Sequence, residues 1–201
     1  MRINDDFSKP IIVHGAKLDW VPSPAAGVDR RMLFRVGGEE ILVLDGTFQD
    51  EHGDYPAGSY FRNPPGTSHI PAAKDGCIIF VRLWQYREGD QAQIVRQPGE
   101  GQKIEPRPGA GSATVLFDDG HEDVRLEDWR AGEAVAVENL RGLEFLVLSG
   151  GLTIGTETLE PQSWGRLPAR AQLAATVGPK GAKLWLKDAP LLHPDALRMP
   201  E

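Results

Sequence analysis

Gly53-Asp54-Tyr55-Pro56-Ala57-Gly58-Ser59-Tyr60-Phe61-Arg62-Asn63-Pro64-Pro65-Gly66-Thr67-Ser68-His69 reads as turn, strand, turn, strand. Gly58 releases the chain from one turn, residues 59–62 form a short run suited to a sheet, and Pro65-Gly66 is a type II pair in which Pro fixes φ and Gly takes φ > 0. The spacing predicts that His69 opens a returning strand at a rigidly set position.

The same punctuation extends over the whole chain. Its 201 residues include 23 Gly and 16 Pro, spread too evenly for helices of ordinary length. Short strands are predicted over 11–14, 41–44, 59–62, 77–83, 113–117, 134–137, 144–148 and 183–187, runs rich in Val, Ile, Leu and aromatics between turn residues. Only the tail near 193–199 suggests helix. Ile41-Leu42-Val43-Leu44 and Ile78-Ile79-Phe80-Val81 are apolar at every position, so both faces of these strands require cover. A second barrel or a second subunit would supply it, and a homodimer is expected on this ground.

Self-comparison reveals a repeat. Glu40-Ile41-Leu42-Val43-Leu44-Asp45-Gly46 lies over Glu144-Phe145-Leu146-Val147-Leu148-Ser149-Gly150 at an offset of 104. Ser59, Arg62 and Pro64 then fall on Ser163, Arg166 and Pro168, and with a shift of one residue Gly76 and Arg82 fall on Gly181 and Lys187. Matches in order at nearly one offset indicate a duplicated all-β unit. The sequence therefore divides into a first barrel over 1–96, a Pro/Gly-rich linker over 97–111 and a second barrel over 112–201.

Bulk composition narrows the function. A net charge of −7 and the lack of a basic stripe exclude a nucleic-acid partner. Neither the N-terminus nor any later run has the apolar length of a signal peptide or a membrane span, so a cytoplasmic location is expected. Cys77, the single cysteine, sits in an apolar run and reads as a small buried residue.

Gly58, Pro64, Gly66 and His69 stand at the spacing of the second cupin motif, and Glu39 with Gly46 matches the end of the first. More narrowly, 37–48, 50–58 and 62–66, together with Trp20-Val21-Pro22-Ser23-Pro24 and 27–33, resemble the ChrR-type cupin family. The resemblance is dense over the first 85 or so residues, and the second copy is similar only to a degenerate cupin. It implies a double-stranded β-helix of the jelly-roll, RmlC-like type, present as two tandem cupin barrels. It also implies one divalent metal (Zn, Fe, Mn or Ni) held by a His-x-His pair, a Glu and a final His. Neutral imidazoles with one carboxylate suit such ions and leave positions open for a substrate or O₂. Relatives of this kind include dioxygenases that cleave C–C bonds of diketones, while ChrR uses the domain as a regulatory sensor joined to a zinc-binding anti-sigma module. A lone cysteine cannot supply that module's ligands.

The sequence departs from the family where the His-x-His pair should fall. Those positions are Leu33 and Arg35, and on the order of 20 residues, two strands with their turns, are missing between Arg31 and Gly37. Either this segment is deleted or the sequence in hand omits it. The metal ligands that remain are Glu39 and His69, with His14 and His52 as the histidines available to complete the set. Strand alternation puts Glu39 on the apolar face of Ile41 and Val43, where a carboxylate requires a metal or a cation to offset desolvation. Arg35 and Arg62 are candidate cations, and Arg35, Tyr60 and Arg62 are candidate pocket residues. In the second copy Leu143 and Leu173 replace Glu39 and His69, and Arg170 replaces Gly66, so that barrel is expected to be filled by aliphatic side chains. Three readings remain: a metal-dependent, dioxygenase-like enzyme or small-molecule sensor, a metal-free binding or regulatory module, and a structural homodimer with no small-molecule site.

Overall fold

The computed structural model describes residues 6–23, 28–31, 33, 37–84, 86–87 and 89–190. The 193–199 tail and Arg35 lie outside these residues. The described chain is all-β, with one 3-10 turn at Gly15–Lys17. No helix is long and apolar enough to cross a membrane. Residues 6–33 and 102–190 form one unit and residues 37–101 another.

In chain order, β1 (Ile11–His14), β2 (Val21–Pro22) and β3 (Asp29–Arg30) precede the smaller unit. That unit contains β4 (Gly37–Asp50), β5 (Gly53–Pro56), β6 (Tyr60–Asn63), β7 (Cys77–Trp84) and β8 (Ile94–Arg96). The remaining strands are β9 (Gln102–Ile104), β10 (Ala110–Asp118), β11 (Asp123–Trp129), β12 (Ala134–Val137), β13 (Gly142–Ile154), β14 (Glu157–Leu159), β15 (Ser163–Pro168) and β16 (Leu173–Asp188).

The N-terminal segment does not belong where the sequence assigned it. Instead of opening the first barrel, β1 pairs antiparallel with β15, from Ile11 opposite Arg166 to His14 opposite Ser163, and Arg31 donates to the Gln162 side chain at 2.8 Å. Edge pairing of this kind is a long-range backbone match that no local pattern announces. The expected linker is likewise partly sheet, because β9 pairs with β10.

Both units are organised around one long strand, β4 in the smaller and β13 in the larger. β4 pairs with β5, β6 and β7, and β13 with β14, β15 and β16. The register slips in each at the same repeat position, between Val43 and Asp45 and between Val147 and Ser149. Just beyond the slip stand Gly46 and Gly150, with φ of 70° and 71°. A Cβ on either would collide with a backbone carbonyl, that of Gly76 or Gly181.

The turns preserve the repeat even where the residues do not. Gly58 and Gly66 have φ of 92° and 91°. Their counterparts Gln162 and Arg170 have φ of 68° and 70° and are the two non-glycine residues with positive φ among the described residues. The second copy thus keeps the backbone of the motif after losing its glycines.

In the smaller unit Ile41, Val43, Phe48, Tyr55 and Phe61 form the core, with Cys77, Ile79 and Val81 packed against them. Burial pushes the Cys77 thiol pKa up, in keeping with a packing role. Leu42 and Phe80 on the opposite face are buried too, as the unbroken apolar runs required. That face also holds Glu40, Arg62 and Arg82, all buried. Their repeat counterparts Glu144, Arg166 and Lys187 are equally buried. The larger unit has the expected aliphatic filling, including Val135, Val137, Leu143, Leu152, Leu159, Leu173 and Leu184.

Because an L residue in the left-handed region costs about 1–2 kcal/mol and glycine gives back about 0.5–1 kcal/mol of that in chain entropy, Arg170→Gly should stabilise the protein by roughly 0.5 kcal/mol or slightly more. Gly46→Ala should destabilise it by at least about 1–2 kcal/mol. Urea denaturation of the two variants against the parent measures both, and no change in midpoint for Gly46→Ala would refute the close approach.

Candidate functional site

Period-two alternation along β4 sends neighbouring glutamates to opposite faces. Glu39 pairs in register with Asn63 and Ile41 with Phe61, so these four share the core face. Glu40 pairs with Arg62 and Arg82, and Leu42 with Tyr60 and Phe80, on the other face.

His69 arrives by the predicted turn. Thr67 N–H donates to Pro64 O at 3.2 Å and its hydroxyl to the same oxygen at 2.8 Å, while Gly66 takes positive φ. The segment after the turn is not the expected strand, however. It is a loop pinned to the far end of β4, with Ile70 N–H donating to Glu51 at 2.7 Å and Ala72 exchanging backbone hydrogen bonds with Gln49 at 2.8 Å. Pinning replaces strand pairing because consecutive residues there satisfy side-chain and isolated bridge partners instead of a ladder.

The two predicted ligands meet. His69 Nε2 lies 3.3 Å from Glu39 Oε2. The ring also packs on Phe48, with centroids 5.7 Å apart. Its other nitrogen, Nδ1, faces a residue that the sequence reading missed, Asp50, with Oδ2 at 3.4 Å. Asp50 is held firmly, since Oδ1 accepts from His52 N–H at 2.8 Å, Gly53 N–H at 3.1 Å and Tyr55 Oη–H at 3.2 Å. Its side chain is 5% exposed, against 14% for His69 and 33% for Glu39. The order is therefore buried carboxylate, imidazole, accessible carboxylate. Asn63 Nδ2 also lies 3.4 Å from Nδ1.

Two of the predicted pocket residues belong elsewhere. Tyr60 and Arg62 lie on the face opposite Glu39. Tyr60 Oη–H donates to Glu40 at 2.7 Å, and Arg82 binds the other oxygen of the same carboxylate at 2.7 Å. Arg62 pairs with Asp90 at 3.0 Å and stacks over Tyr86 at 4.6 Å. It is Phe61, not Tyr60, that joins the core around Phe48 and Tyr55. Arg35 lies outside the described residues. His52 is exposed in the β4–β5 turn beside Glu51, and His14 belongs to the other unit, where it faces Glu157 and Ser163.

Among the described residues no group of three or more His, Cys, Asp or Glu side chains is arranged to hold a metal ion. Asp50 cannot serve as a third ligand with Glu39 and His69, because the two ring nitrogens point away from each other and Asp50 sits behind Nδ1. Glu39 and His69 would be the donors toward any ion at this place. Two donors fall short of the three or four that hold a transition metal, so the described residues do not fit a resident metal.

Residues 34–87 match the ChrR cupin-like domain. Over that stretch the chain is similar to the ChrR-type cupin domain. The solved structures it resembles include a candidate dioxygenase from Nostoc punctiforme, at 13% identity and a TM-score of 0.69 over 96% of this chain and 88% of that one. The E. coli protein Ylba follows at 14% identity and a TM-score of 0.62, over 94% of each chain. Quercetin 2,3-dioxygenase from Acinetobacter baumannii gives 14% identity and 0.54, over 79% and 67%. At such identities the likeness is one of fold, and the cupin fold expected from the sequence is the one observed. No curated protein matches the sequence.

The opposite roles of the adjacent glutamates are separable. Glu40→Ala removes a buried carboxylate that both Arg82 and Tyr60 bond and should cost about 3–5 kcal/mol, whereas Glu39→Gln in the cupin's open site should shift stability by less than about 0.5 kcal/mol. Chemical denaturation of each variant checks the assignment, and equal losses would contradict it.

Proposed function

We propose that the cupin unit over 37–101 is a small-molecule-binding module that works without a resident metal. The observation that carries this reading is the convergence of His69 Nε2 and Glu39 Oε2 at 3.3 Å, with the remaining acidic donor, Asp50, turned to the far side of the ring. Two acceptors facing each other across such a gap repel unless something positive stands between them. A proton or a donor group of a bound molecule satisfies that demand with two protein atoms, and a transition metal does not. The resemblance to the ChrR family supports a sensing or regulatory use of such a module.

A metal-dependent, dioxygenase-like reading is favoured by one feature, the gap itself. Two ligands bound at about 2.0–2.2 Å to a shared ion would have their donor atoms about this far apart. One measurement decides between the readings. The protein is incubated in turn with Fe(II), Mn(II), Ni(II) and Zn(II), dialysed, and analysed for metal. The expected result is retention far below stoichiometric for all four. Stoichiometric retention that is lost in His69→Ala would overturn the metal-free reading.

A further inference from the structure

Inside the larger unit, β11 brings charge to the apolar core. Period-two alternation turns Asp123, Arg125, Glu127 and Trp129 to one face, and the register partners of Arg125 and Glu127, Leu186 and Leu184, belong to that core. A carboxylate on such a face requires partners, and Glu127, whose side chain is 1% exposed, has them. Its Oε2 accepts from Arg107 Nε at 2.7 Å and Trp129 Nε1 at 2.8 Å, and its Oε1 from Arg107 Nη2 at 2.8 Å. Arg125 donates through Nε to Asp123 and brings Nη1 to 3.8 Å from Glu127. Two guanidinium groups are thus fixed around one buried carboxylate. Neither Arg107 Nη1 nor Arg125 Nη2 has an acceptor among the described residues.

Both arginines line a cavity of about 150 Å³ whose apolar wall is Val137, Leu143 and Leu186. Asp123, Glu138 and Asp188 complete the lining. Arg141 bonds one oxygen of Asp188 at 2.9 Å, and Glu138 is exposed. We infer that this cavity binds a small aliphatic zwitterion of the α-amino acid class, with its carboxylate on Arg107 and Arg125, its ammonium on Glu138 and Asp188, and its side chain against Leu143 and Leu186. A carboxylate alone would satisfy the guanidinium groups but meet three acidic side chains, and an amine alone would reverse the conflict. A ligand with both charges meets each with its opposite. Burial sets the direction of entry, because the side chains of Arg107, Arg125 and Asp188 are 19%, 24% and 31% exposed while Leu143 and Leu186 are buried. The aliphatic end goes in first and the charged end stays toward solvent. Size limits the ligand, since an apolar cavity of about this volume accommodates benzene, about six heavy atoms. The site draws on none of the residues around Glu39 and His69, so it stands whether or not those two hold a metal.

The full chain is titrated with four probes built on one aliphatic chain. L-2-aminobutyrate carries both charges, butyrate only the carboxylate, propylamine only the ammonium, and butyramide neither. The methyl signals of Val137, Leu143 and Leu186 are followed by ¹H–¹³C correlation. L-2-aminobutyrate should shift these methyls saturably and bind at least about tenfold more tightly than each of the other three, the scale set by one hydrogen bond to a charged group. No saturable shift with L-2-aminobutyrate, or shifts confined to residues 37–101, overturns the site. A smaller advantage over any of the other probes overturns the ligand class.

Two variants assign the charges. Arg125→Gln removes one guanidinium and leaves Glu127 its bonds to Arg107 and Trp129. It should weaken L-2-aminobutyrate at least about tenfold, and a variant with the parent's methyl spectrum and the parent's affinity overturns the carboxylate subsite. Glu138→Gln changes an exposed side chain and leaves the fold intact. It should weaken L-2-aminobutyrate about two- to fivefold, the scale of an exposed ion pair, without weakening butyrate. Should Arg125→Gln fail to fold, Glu138→Gln decides, and an unchanged ratio of the two affinities overturns the zwitterion.

Discussion

A backbone contact that only glycine permits governs the unit that carries the site. Gly46 takes a φ of 70° with the Gly76 carbonyl oxygen standing where a β-carbon would have to go, and the neighbouring slip in register interrupts the β4–β7 ladder there. A single residue of slip would exchange the faces of every side chain on the strand. Glu39 would then be buried among the charges that Glu40 now satisfies, and Glu40 would occupy the open position. The last glycine of the first cupin motif is thus a register lock. Its recurrence at Gly150 against Gly181 shows that the lock serves the fold, because the second copy has no ligand residues to align.

Adjacent residues on that strand consequently meet opposite demands. Glu40 is buried with both carboxylate oxygens engaged, one by Tyr60 and one by Arg82. Buried Glu144, Arg166 and Lys187 stand at the repeat positions of Glu40, Arg62 and Arg82, with Lys187 paired to Glu122 at 2.7 Å. Glu39 is partly exposed and faces His69. Burial and full pairing mark the structural carboxylate, and exposure with a single imidazole partner marks the chemical one. The repeat retains the first at residue 144 and replaces the second with Leu143. Duplication followed by loss of the site, with the scaffold kept, leaves this pattern.

What was legible in the sequence was whatever depends on local backbone chemistry. Gly58, Gly66 and the Pro65-Gly66 turn announced the motif, and their spacing to His69 placed that histidine beside Glu39. The constant offset exposed the repeat, and the structure extends it to the positive φ of Gln162 and Arg170, which residue identity alone had hidden. What was not legible required pairing partners. Tyr60 and Arg62 were placed beside the site because their face is fixed by registration with Leu42 and Glu40, information absent from the run itself. β1 was assigned to the first barrel by its place in the chain, and only its pairing with β15 reveals the other unit. Asp50 escaped notice because Asp50-Glu51-His52-Gly53 looks like an ordinary hairpin turn, which it also is. The one available signal was Tyr55 five residues later, whose hydroxyl shares the carboxylate.

The dual use of Asp50 ties the architecture to the chemistry. One oxygen closes the β4–β5 turn and the other faces the imidazole, so the hairpin and the orientation of His69 are a single structure. A carboxylate already committed to two backbone N–H groups and a tyrosine loses little further freedom when it meets a histidine. The entropic cost of orienting the ring is therefore small compared with that of a free surface side chain. Phe48 closes one side of the ring and leaves Nε2 directed at Glu39. Three residues on one continuous strand, Glu39, Phe48 and Asp50, thus set the position, stacking and hydrogen bonding of a histidine that comes from a separate loop. None of these contacts comes from the stretch between Arg31 and Gly37, where the family pattern places its His-x-His pair. The contact between His69 and Glu39 therefore rests on the strand and the loop alone.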